Sequence, residues 1–103
     1  MLLNDKTNQN KVKKAQNILR ALGHQLRRSI LETIENNDNK ITVTEIYVKL
    51  RLEQSVASQH LAILRRAGIV ETERDGKLIY YSVRKTVLAD VLQLCDDLAE
   101  KTK

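Results

Sequence analysis

The chain has no proline, no tryptophan and no phenylalanine, and only three glycines and one cysteine in 103 residues. Each scarcity excludes something. With no proline and few glycines there is little material for sharp turns, so the chain reads as mostly helix with short connections. A lone cysteine, Cys95, rules out an intrachain disulfide and fits a reducing cytosol. No stretch approaches the roughly 18 apolar residues of a membrane span. Met1-Leu2-Leu3-Asn4-Asp5-Lys6 lacks the apolar run of a secretory signal. The expectation is a cytoplasmic chain with no membrane partner, forming one domain over residues 1–103. At 11.8 kDa, a partner subunit would help complete its burial. Equally absent are a nucleophile–base pair, a carboxylate pair in a cleft-like context and a glycine-rich phosphate loop, so neither an enzyme nor a cofactor is expected.

What is present is positive charge and one unusual helix. Lysine and arginine number 18 against 13 acids, a net charge of +5, which is compatible with nucleic acid without demonstrating it. The stretch Gln54 to Arg66 is helical by its spacing. Read at about 100° per residue, Ala57, Leu61 and Leu64 share one side with Val56 and Ile63 flanking them, and Ser55, Ser58, Gln59, Ala62 and Arg66 share the other. An ordinary solvated face carries Glu and Lys, which favour helix; short hydroxyls and an amide do not. Hydroxyls and amides at a helix start, with arginines further along, suit base edges and phosphates in a DNA major groove.

The neighbouring segments support this reading. Residues 1–9 are polar and expected to fray. Val12, Ala15, Ile18, Leu19 and Leu22 recur at helical spacing from about Asn10, and Gly23 interrupts. A second helix from about His24 to Asn36 would bury Leu26, Ile30, Leu31 and Ile34. Asn36-Asn37-Asp38-Asn39 is turn composition, Ile41-Thr42-Val43 suffices only for an edge strand, and Thr44 would cap a helix from Glu45 to about Leu52. That helix and the next are joined so tightly that they read as a helix-turn-helix, with Gly68 ending the second helix. Two β-prone runs then flank Asp75-Gly76, a strong hairpin signal. A last helix from about Thr86 to Lys101 carries Val87, Leu88, Val91, Leu92, Leu94, Cys95 and Leu98, more apolar surface than one side of a small domain needs. The fold class is mainly α (α+β), a winged helix-turn-helix in the order α-α-β-α-α-β-β-α. The hairpin tip, Arg74-Asp75-Gly76-Lys77, is placed to reach flanking phosphates or a minor groove.

Three segments, in this order and spacing, resemble the ArsR/SmtB family of small dimeric winged-helix repressors over roughly residues 15–100. Ala21-Leu22-Gly23-His24-Gln25-Leu26-Arg27-Arg28-Ser29-Ile30-Leu31 is similar to the family's opening, Gln54 to Val70 to its recognition helix and following turn, and Arg74 to Val83 to its wing. The resemblance implies a homodimer paired through helices at about 10–22 and 86–101, with Ile18, Leu19, Leu22, Leu88, Val91, Leu92, Cys95 and Leu98 at the interface. It implies double-stranded DNA as partner, on a near-palindromic operator. The family's metal sites are not matched: Tyr47 and Lys49 stand where thiolates would, and no histidine follows position 60, so no metal is expected. Redox members need two cysteines, and Cys95 is alone, so it reads as a small buried apolar residue. Where the family often has a serine before its recognition helix, this chain has Glu53, leaving the cap to Ser55 or to the acid's interaction with the helix dipole.

The candidate DNA contacts divide by chemistry. Gln54, Ser55, Ser58 and Gln59 are base-edge candidates, because Gln pairs with adenine and Ser serves several bases. Arg65, Arg66, Arg74 and Lys77 would supply sequence-blind phosphate affinity, although Arg65 could instead pair with a nearby acid. His60, at the border of the apolar side, suits a phosphate contact or a hydrogen bond inside the fold equally well. Of Tyr80 and Tyr81, which alternate across the wing strand, one should pack on the core. The leading reading is a sequence-specific DNA-binding transcriptional regulator, a homodimeric repressor. The competing one is a winged-helix module that docks protein, distinguishable because phosphate contacts make binding fall steeply with salt.

Overall fold

The computed structural model describes residues 2–90 and 93, with side chains from Asn10 onward. Its elements are α1 (Leu2–Leu22), α2 (Gln25–Asn36), β1 (Ile41–Thr42), α3 (Val43–Leu50), α4 (Gln54–Arg66), β2 (Val70–Asp75) and β3 (Leu78–Val83). Residues 85–90 are helical again. This is a winged helix-turn-helix in the predicted order. Two boundaries differ from expectation. α1 reaches back to Leu2 instead of fraying before Asn10; with no glycine or proline before Gly23, nothing in the sequence interrupts its hydrogen-bond ladder. The cap of α3 is Thr42, not Thr44: its Oγ1 accepts the Glu45 N–H at 3.2 Å and faces the Glu45 carboxylate at 3.3 Å. Thr42-Val43-Thr44-Glu45 is a capping pattern, with the acid at the third helical position.

Lacking Phe and Trp, the chain builds its core from branched aliphatics. Ile30, Ile34, Ile41, Ile46, Leu61, Leu64, Ile69 and Val70 are fully buried, and such side chains have few rotamers to lose on packing. Each element contributes: Ile30 and Ile34 from α2, Ile46 from α3, Leu61 and Leu64 from α4, Ile41 and Val83 from the sheet. Ile18 also lies in this core, 2% exposed, and Leu22 packs half-buried against it. Ile18, expected to face a second subunit, is thus taken up by its own core, whereas Leu22 keeps part of its surface. α1 has only one face toward its own core, and Ala15, Ile18 and Ala21 occupy it. Among its described side chains the exposed large apolar ones are Val12 and Leu19.

The sheet is antiparallel in the order β1-β3-β2, with Ile41 opposite Tyr81 and Val70 opposite Val83. The base of the wing is fixed by burial of Val70 and Val83. Asn39 adds a side-chain clamp, accepting the Val83 N–H at 2.8 Å and donating to the Val83 carbonyl at 3.2 Å. Asn39 has a positive φ of 56°, which Asn tolerates better than most residues. At the tip, Asp75 pairs with Leu78, so the loop is Gly76-Lys77 and not Asp75-Gly76. Gly76 has φ 63° while Lys77 does not take positive φ, the arrangement of a II′ turn, which wants Gly first. The one-residue shift puts Lys77, not Asp75, in the loop.

Candidate nucleic-acid interface

α4 is held at both ends by backbone geometry. Before it, Arg51 adopts the left-handed conformation (φ 54°, ψ 47°) and the Leu52 N–H returns to the Tyr47 carbonyl at 2.9 Å. α3 therefore stops abruptly and α4 leaves at a fixed angle. After it, Gly68 has φ 79°. The Ile69 N–H bonds the Leu64 carbonyl and the Gly68 N–H bonds the Arg65 carbonyl, both at 3.0 Å. This is a Schellman closure, with Leu64 and Ile69 supplying its apolar contact inside the core.

Between these ends Ala57, Leu61 and Leu64 are buried, and Gln54, Ser55, Ser58, Gln59, Ala62, Arg65 and Arg66 are exposed. The N-cap residue is Glu53, whose side chain makes no capping bond. Ser55 lies inside the first turn and is not the cap, which leaves Glu53 to act on the helix start through the dipole. The Val56 N–H is taken by the Glu53 carbonyl at 3.1 Å, and Glu53 sets a carboxylate-bearing residue at the positive end of the helix dipole. Arg65 and Arg66 form no ion pair among the described residues, where the one bridge joins Arg84 to Glu71 at 3.9 Å. Among the described residues no acid neutralises Arg65.

The wing lies beside this face. A groove of about 500 Å³ runs between α4 and β3, lined by Ser58, Ala62, Arg65, Arg66 and Tyr81. Tyr81 also packs against the core, whereas Tyr80 lies beneath Lys40 Nζ, 4.6 Å from its ring centre. Lys77 is exposed in the hairpin loop. Arg74 is exposed but folds back, its Nε donating to the Gly76 carbonyl at 3.2 Å. The structure thus brings Ser58, Arg65 and Arg66 into one groove and leaves Gln54, Ser55, Gln59, Arg74 and Lys77 exposed around it.

His60 is the exception. It turns inward, its Nδ1 accepting from Arg27 Nε at 3.3 Å and its ring 4.8 Å from that of His24. Burial, followed by the charges of His24 and Arg27, holds its pKa below the usual 6.5. Of the two roles expected for His60, the hydrogen bond inside the fold is the one observed. Sequence reasoning missed the latch around it. Arg27 also donates to the Ala21 carbonyl at 3.2 Å, Arg28 donates to the Leu22 carbonyl at 2.7 Å, and His24 Nδ1 accepts the Leu26 N–H. Two arginines thereby close the end of α1 while one of them grips α4. The signal available in the sequence was the pair of basic residues just past Gly23.

Of the expected interface residues, Leu19 is exposed and Leu88 half-buried against the core; Val91, Leu92, Cys95 and Leu98 lie outside the described residues. Among the described residues no group of three or more His, Cys, Asp or Glu is placed to hold a metal ion. Lys49, at a position where the resemblance would need a thiolate, donates to Asn37 Oδ1 at 2.9 Å. No helix among the described residues is long and apolar enough to cross a membrane.

Comparison with known proteins decides the family. Residues 24–72 match the family described as bacterial regulatory protein, arsR family. The chain is 36% identical over 81 residues to the transcriptional activator HlyU of Vibrio cholerae, covering 79% of this chain and 73% of that protein. It is 34% identical over 74 residues to the transcriptional repressor SdpR of Bacillus subtilis, covering 72% and 80%. This chain belongs to the ArsR family. The crystal structure of HlyU from Vibrio vulnificus CMCP6 is 37% identical, with TM-score 0.65 over 93% of this chain and 97% of that one. An ArsR-like regulator from Rhodococcus sp. RHA1, 18% identical with TM-score 0.80 over 89% and 85%, shares the fold. As an ArsR-family member the chain is a DNA-binding transcriptional regulator and not an enzyme.

Proposed function

We infer that this ArsR-family chain acts as a homodimeric, cytoplasmic repressor on a near-palindromic operator, with α4 in the major groove and the wing along the flanking backbone. The observation that carries the reading is the α4 face. Ser55, Ser58 and Gln59 are exposed beside arginines that have no ion-pair partner among the described residues, and base recognition needs hydroxyls and amides in such a place. Gln54 joins them at the helix start. Arg65, Arg66 and Lys77 hold phosphates, with Arg74 supporting the turn that presents Lys77. Repression is supported by likeness to the repressor SdpR; the activator name of HlyU makes the sign of regulation a direct question for a reporter assay. Val12 and Leu19, exposed on α1, favour a dimer whose second subunit covers them, joined by the last helix.

Selection of bound sites from random duplex DNA tests the reading. Enriched sites should show inverted symmetry with half-sites about one helical turn apart, roughly 34 Å, and affinity should fall steeply with salt. No enrichment, or salt-insensitive binding, would favour a module that docks protein.

A further inference from the structure

An open cleft of about 790 Å³ lies where the ends of α1 and α4 meet the start of α2, sharing Arg66 with the groove beside the wing. Asn17, Arg20, His24, Arg27, Ile63 and Arg66 contribute to its lining, and among the described residues no carboxylate does. The charge of the described lining is of one sign, carried by three guanidinium groups. Low-dielectric walls bearing like charges concentrate a positive potential in such a cleft. The guanidinium groups are not equally engaged. Arg27 is held rigidly by its bonds to His60 Nδ1 and the Ala21 carbonyl, with its other terminal nitrogen unused in them. Arg20 and Arg66 make no hydrogen bond or ion pair among the described residues. Ala21, Ile63 and Ala67 add apolar surface to the lining.

Arginine's planar fork matches carboxylate and phosphate oxygens in pairs, and a guanidinium already fixed in place loses less freedom on binding. We propose that this cleft is an effector site for a small organic anion, a carboxylate or phosphate monoester carrying a short apolar body. The ligand is small because the cleft falls in the usual size range of ligand sites. The site lies on a flank of α1 different from that of Val12 and Leu19: Asn17 and Arg20 are displaced from them by about 120° on average around the helix. A second subunit seated on Val12 and Leu19 would approach α1 from that other flank.

The site also bears on DNA, and this step rests on the DNA-binding reading above. Arg66 and Ile63 belong to α4, and Arg27 reaches α4 through His60. An anion that draws Arg66 toward Arg20 removes it from the phosphate backbone, so ligand and DNA oppose one another, each weakening the other by the same factor.

The test uses the full chain with benzoate and phenyl phosphate as probes and benzyl alcohol as the neutral control, followed by two-dimensional amide NMR without DNA. Saturable shifts centred on residues 17–27 and 63–67, from the anions and not the alcohol, are expected. Arg20→Gln should weaken them about tenfold or more, the loss of one charge-assisted contact, with its spectrum otherwise dispersed as in the parent. In a DNA titration, benzoate should lower affinity for the parent and much less for Arg20→Gln, whose affinity without anion is unchanged. Equal shifts from benzyl alcohol, shifts spread over Lys77 and the wing, or binding indifferent to Arg20→Gln would each overturn the site. So would Arg20→Gln lowering DNA affinity and its salt slope, which would make the cleft a DNA backbone contact. Because the spectra contain no DNA, a failure there leaves the DNA reading standing, and a chain that bound no DNA would still report its anion.

Discussion

Arg51 is the residue on which the helix-turn-helix geometry can be tested by a single substitution. It lies between α3 and α4 with φ 54° and ψ 47°, close to the centre of the left-handed region. For a residue with a Cβ that conformation costs about 1–2 kcal/mol, and glycine escapes the penalty. Glycine in turn loses more freedom on folding, by about 0.5–1 kcal/mol. The Arg51 side chain is exposed and makes no hydrogen bond among the described residues, so its removal costs little else. Arg51→Gly should therefore stabilise the fold by about 0.5–1 kcal/mol, equivalent to roughly 2–8 °C in Tm for a domain of this size. Arg51→Val should do the opposite and by more, because a β-branched side chain is poorly tolerated at positive φ. Urea unfolding at one fixed protein concentration reads both, since concentration matters for a dimer. A midpoint lowered by Arg51→Gly at unchanged m, or left unmoved by Arg51→Val, would refute the left-handed turn and with it the angle at which α4 is presented.

Three further outcomes follow from the same geometry. Glu53→Ser supplies the side-chain acceptor that α4 lacks, adding about 1 kcal/mol of stability, and removes a negative charge from the helix start, so DNA affinity should rise in a fluorescence titration; a fall would show that Glu53 itself contacts the site. Stability should decline as pH falls below 6.5, because the lowered pKa of His60 means the unfolded chain takes up its proton first; its contribution is full above 6.5 and is lost as pH drops through the folded value. Protonation would set an imidazolium against Arg27 and the His24 ring, so His60→Gln should flatten the urea midpoint between pH 7.5 and 5, and an unchanged profile would contradict the latch. Leu19→Glu, placing a charge on the exposed apolar strip of α1, should yield monomer by sedimentation; a retained dimer would place the interface elsewhere.

The elements most legible in the sequence were those whose evidence was local. Ala57, Leu61 and Leu64 recur at helical spacing, and a polar face follows from where they point, so α4 and its exposed residues were readable. The hairpin was readable from a glycine between β-prone runs, but its register was not. Asp-Gly suits one turn type and Gly-Lys another, and the pairing of Val70 with Val83 and of Asp75 with Leu78 decides between them. Arg51 escaped notice because composition flags left-handed positions only when glycine or asparagine fills them. Ile18 was assigned to a subunit interface because a helical stripe does not say which of two surfaces it faces. His60 was undecidable for a different reason: its partner Arg27 is distant in sequence, and only the packing of α2 against α4 brings the two together.

The central claim is that α4 reads bases while the wing positions the protein. It is tested most directly by comparing Gln59→Ala and Lys77→Ala on the selected operator and on unrelated duplex, each at two salt concentrations. Gln59→Ala should cost about 1–3 kcal/mol on the operator alone and relax preference at one position per half-site. Lys77→Ala should weaken all sequences about equally and reduce the slope of log affinity against log salt by about one per subunit. If Gln59→Ala left base preference untouched while Lys77→Ala altered it, the wing would be the reader and the placement of α4 in the major groove would be wrong.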